Sequence, residues 1–79
     1  KIDFALAFSV VHEIPDKKQF FLEIYESLKN EGIFYIAEPS HISKKNFDEE
    51  ISIALKTGFK IYNKPENIKN HALILIKKD

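Results

Sequence analysis

Ile2-Asp3-Phe4-Ala5-Leu6-Ala7-Phe8, running on into Ser9-Val10-Val11-His12-Glu13-Ile14-Pro15, decides the fold class of this chain. The run up to Phe8 has the length of a strand and, Asp3 apart, is apolar throughout, so it lacks the alternation of a sheet wetted on one side. That is the pattern of a strand covered on both faces, the usual state of a parallel sheet. The residues from Ser9 onward read as the loop at its C-terminal end. In open α/β sheets ligands bind outside the carboxyl ends of the strands, so His12 and Glu13 are the first place to look for chemistry. Glu38 to His41, after the next apolar run, is the second.

Working outward, Asp16 is placed to cap a helix, with Gln19 three residues on to reach back in a variant of the capping box. The helix is predicted to run to about Leu28. Phe21, Ile24, Tyr25 and Leu28 follow the i, i+3, i+4, i+7 spacing and Phe20 widens the stripe, while Lys17, Lys18, Glu23 and Glu26 take the other side. Lys29-Asn30-Glu31-Gly32 ends the helix, with Asn30 or Gly32 suited to a left-handed backbone. Ile33-Phe34-Tyr35-Ile36-Ala37 is a second unalternating strand, closing at Glu38-Pro39. From Ser43 to Thr57 a second amphipathic helix sets Phe47, Ile51, Ala54 and Leu55 on one face, with Ser43 as N-cap and Gly58 as stop. Phe59-Lys60-Ile61-Tyr62 alternates as an exposed or edge strand does, and Lys64 to Asn70 is a polar loop. His71-Ala72-Leu73-Ile74-Leu75-Ile76 is the last and most apolar strand, and Lys77-Lys78-Asp79 is expected in solvent.

The order is strand, helix, strand, helix, strand, strand. Right-handed crossovers put both helices on one face of the sheet. Three of the four strands are nonetheless apolar on both faces, so the opposite face calls for cover from outside these residues, either further sequence or a second copy of the chain. The absence of Met and the opening on a strand raise the same expectation of a longer protein.

With 79 residues, 44% of them hydrophobic, there is material for one small core. Twelve basic and twelve acidic residues balance to a formal charge of zero, which leaves no electrostatic footprint for nucleic acid or an anionic membrane. Cysteine is absent, which excludes disulfides, thiolate metal sites and a thiol nucleophile, and fits a reducing, cytoplasmic setting. No apolar run is long enough to span a bilayer.

Asp3-Phe4-Ala5-Leu6-Ala7-Phe8, Val11-His12-Glu13-Ile14-Pro15-Asp16, Phe21 to Gly32, Glu38-Pro39 and Gly58-Phe59, taken in order, resemble the C-terminal half of a class I S-adenosylmethionine-dependent methyltransferase of the small-molecule kind called methyltransferase type 11. The most specific piece is a helix ending in Leu-Lys-x-x-Gly before a strand and an acidic residue. The family usually has Leu-Lys-Pro-Gly-Gly there, and Asn30 and Glu31 stand in place of the Pro and the first Gly. The resemblance implies a Rossmann-like α/β fold, β-α-β-α-β-β, whose last strand is antiparallel and internal. Numbered in chain order, the strands would lie one, two, four, three. It also implies that the Gly-rich loop and the acidic ribose ligand of the cofactor site belong to an N-terminal half. Gly32 and Gly58 are in no GxGxxG context, and a nucleotide-binding half-domain of another kind would need the phosphate loop that is missing.

The same resemblance places Phe8, Ser9 and Val10 beside the methionine part of S-adenosylmethionine, and His12, Glu13, Glu38 and His41 around a small-molecule acceptor. His12 has the chemistry of a general base or of a group that orients the acceptor. The structural alternative is that His12 bonds a neighbouring backbone, Glu13 is solvated and Glu38 braces a loop. No metal-ligand spacing links His12, Glu13, Glu38 and His41, so no metal is expected. His71, opening an apolar strand, reads as structural. A non-enzymatic half-domain that forms a homodimer through the bare face or an open strand edge is the competing reading.

Overall fold

The expected succession of elements is present in the computed structural model, which describes residues 1–8, 11–39, 42–64 and 71–78, the side chain of His12 excepted. Strand β1 (Ile2–Phe8) leads through a short 3-10 segment (Val11–Glu13) to α1 (Lys17–Ser27), β2 (Leu28–Glu38), α2 (Lys44–Thr57), β3 (Lys60–Asn63) and β4 (His71–Ile76). The sheet order is β1-β2-β4-β3. β1 and β2 are parallel, and β4 runs antiparallel to both of its neighbours. The last strand is therefore internal, as expected. The predicted polar loop falls largely on residues 65–70, outside the described residues.

Both helices start where the sequence caps them. Asp16 Oδ1 accepts from the Gln19 amide at 3.0 Å, and Ser43 Oγ accepts from the Asn46 amide at 3.0 Å. Both lie on one face of the sheet, over a shared core that takes Phe21 from α1, Phe47, Ile51 and Ala54 from α2, Phe34 and Ile36 from β2, and Leu73 and Leu75 from β4. Phe21 is its aromatic centre, with ring centroids of Phe20, Phe34 and Phe59 at 5.7, 6.1 and 6.4 Å. Leu55, expected on this face, is instead 43% exposed. It lies about a quarter-turn from the Phe47, Ile51 and Ala54 stripe, at the rim where α2 leaves the sheet.

The helix α1 does not end in a separate turn. Leu28 is both its C-cap and the first residue of β2, and the pairing of β2 with β1 shifts register between Ile2 and Phe4. The left-handed residue is neither Asn30 nor Gly32 but Glu31, at φ 70°. Gly32 is needed for another reason: a Cβ there would lie 2.8 Å from the Lys29 carbonyl oxygen. The Gly32 carbonyl accepts from the Lys77 amide, and the Lys77 carbonyl accepts from the Glu31 amide, so this left-handed bend is held by the chain beyond β4. Glu31 occupies the first Gly position of the family pattern and bears a strain that Gly does not. Glu31→Gly is expected to stabilise the protein by about 0.5 to 1 kcal/mol, read as a raised urea midpoint with unchanged slope.

Lys77, placed in solvent by the sequence reading, is buried. Its Nζ donates to the carbonyls of Tyr25 at 2.9 Å and Leu28 at 3.0 Å and lies 4.6 Å from the centre of the Tyr25 ring. The other correction concerns β1. Only Ala5 and Ala7 turn toward the helices, whereas Ile2, Phe4, Leu6 and Phe8 lie 45 to 58% exposed on the opposite face. A strand with its small residues inside and its large ones outside is covered on one face by this chain, and the bare face inferred from the sequence carries its largest side chains.

Candidate functional site

Because β1 and β2 are parallel and β4 runs against them, three chain positions converge on one edge of the sheet: the end of β1 at Phe8, the end of β2 at Glu38 and the start of β4 at His71. Glu38 and His71 are direct partners in the β2–β4 ladder. This edge, outside the carboxyl ends of the parallel strands, is where open α/β sheets bind ligands.

Phe8 is 58% exposed on the bare face, its ring edge-on to Tyr35 with centroids 6.2 Å apart. The 3-10 segment that follows is anchored by the fully buried Val11, with the Ile14 amide donating to the Val11 carbonyl at 3.1 Å. Glu13 on that segment is exposed, available to solvent or to a ligand. Ser9, Val10, His41 and the side chain of His12 lie outside the described residues.

Glu38 takes a different direction. Its side chain is on the helix face, 1% exposed, and Glu50 of α2, near it, is itself 3% exposed. Burial first, and then the neighbouring Glu38 carboxyl, push the Glu50 carboxyl up from 4.5 to about 8, with Lys17 opposing. A cavity of about 200 Å³ lined by Lys17, Asn46, Glu49, Glu50 and Ile53 adjoins the pair. Glu50 was not among the residues singled out from the sequence. The available signal was helical: it sits three residues after Phe47 and four before Ala54, on the buried stripe of α2.

His71 is at the edge but engaged there. Its Nε2 is 2.8 Å from the Ile42 carbonyl oxygen, so that nitrogen carries the proton and donates, and its ring stacks on Phe47 with centroids 4.8 Å apart. This is the bracing role expected of it. A larger groove along the outer side of α2, lined by Asp48, Ile51, Ser52, Leu55, Lys56 and Lys64, gathers none of the candidate residues.

Among the described residues no group of three His, Cys, Asp or Glu side chains is placed to hold a metal ion. Of the two glycines, Gly32 lies in the half of β2 away from the site edge, and Gly58 ends α2 against the Tyr25 ring. No described helix is long and apolar enough to cross a membrane.

No family profile matches the chain, and no curated protein matches it by sequence. Among solved structures the chain is similar to a methyltransferase from Pyrococcus furiosus, with a TM-score of 0.74 and 16% identity over 98% of this chain. It spans 41% of that protein's length. The fold is thus that of a part of a methyltransferase domain, a small α/β unit with a four-stranded mixed sheet.

Proposed function

We propose that residues 1–79 are the C-terminal half of an S-adenosylmethionine-dependent methyltransferase domain that acts on a small acceptor in the cytoplasm. One observation carries the reading: an antiparallel last strand inserted inside the sheet, in the order β1-β2-β4-β3, over the whole length of the similarity to the Pyrococcus furiosus enzyme. S-adenosylmethionine, held mainly by residues outside this chain, would supply an electrophilic methyl group. This chain would contribute the backbone after β1, from Phe8 to Val10, as a floor beside the cofactor, and His12, Glu13 and His41 as groups around the acceptor. Methyl transfer depends chiefly on placing the acceptor in line, which a rigid sheet edge is suited to do. Isothermal titration of the full-length protein with S-adenosylmethionine tests the reading; micromolar binding is expected, and no binding overturns it.

The bare face favours a partner in either of two forms, the rest of the domain or a second copy. Leu6, 52% exposed at its centre, separates them. Under the methyltransferase reading Leu6→Lys puts a charge into a covered core and lowers stability by about 1 to 3 kcal/mol while the mass in light scattering stays unchanged. Under the homodimer reading the same variant halves the mass.

A further inference from the structure

We draw no further inference here: the strongest candidate, the apolar face of the sheet opposite the helices, where Ile2, Phe4, Leu6 and Phe8 of β1 lie exposed, carries nothing further because nothing in the structure shows whether the rest of the domain or a second copy of the chain covers it.

Discussion

Phe21→Ala is expected to lower the unfolding free energy by about 3 to 5 kcal/mol, the range for an aromatic removed from a packed core. Phe21 is fully buried, and its ring meets those of Phe20, Phe34 and Phe59, one from its own helix, one from β2 and one from the entry to β3. Removing it opens a cavity that three elements would have to move together to close. The helix backbone on either side is pinned, at Asp16 by its cap and at Leu28 by the strand it enters, which limits that collapse. Leu22, next in sequence but 39% exposed, is the control, with an expected loss below about 1 kcal/mol for Leu22→Ala. Urea unfolding followed by far-ultraviolet circular dichroism measures both. Since whole domains hold only about 5 to 15 kcal/mol, the Phe21 variant should sit near the folding threshold.

Lys77→Met should cost about 2 to 4 kcal/mol although it keeps an unbranched apolar stem of similar length. The ammonium donates to two carbonyls, of Tyr25 and Leu28, at the end of α1, where the Tyr25 carbonyl also accepts from the Leu28 amide. A hydrogen bond from a charged donor is worth about 1.5 to 3 kcal/mol, and both are lost in the variant. Relief of the lysine's desolvation returns part of this, which is why the expected loss is below the sum of the two bonds. The positive charge also opposes the negative end of the helix dipole. Because Lys77 is buried, the loss should persist at high salt. Equal losses at low and high salt check the mechanism, and Lys78→Met, at an exposed site, should change little.

The elements and their order were legible because each rests on a local signal: caps at Asp16 and Ser43, stripes at helical spacing, apolar runs of strand length. The bare face was legible too, since apolar residues on both sides of a strand exceed what two helices on one side can cover. The internal place of β4 came from the family resemblance and its apolarity. What escaped were charged residues whose environment is set by another element. Counting by twos along β4 from Leu73 through Leu75 lands on Lys77, and the stripe of α2 passes through Glu50, yet both are of a type seldom found inside. Burial depended on the carbonyls of α1 in one case and on Glu38 in the other. The left-handed Glu31 was hidden for the opposite reason, as a neighbouring glycine offered an easier place for the bend. For Ser9 and Val10 the expectation stands on the resemblance alone, and for His12 and His41 on the resemblance and on their place after the ends of apolar runs.

The place of β4 between β2 and β3 fixes an order of events in the cell. On a ribosome it is made after both of its neighbours, and until it docks β3 has no strand to pair with while β2 shows an open edge. Lys77, which closes the end of α1 from about fifty residues away in sequence, arrives later still. Contacts of such long range form slowly. A nascent chain stalled after Asn63 would therefore hold two helices and an unfinished sheet, open to capture by chaperones. The final strand acts as the closing seam of this unit.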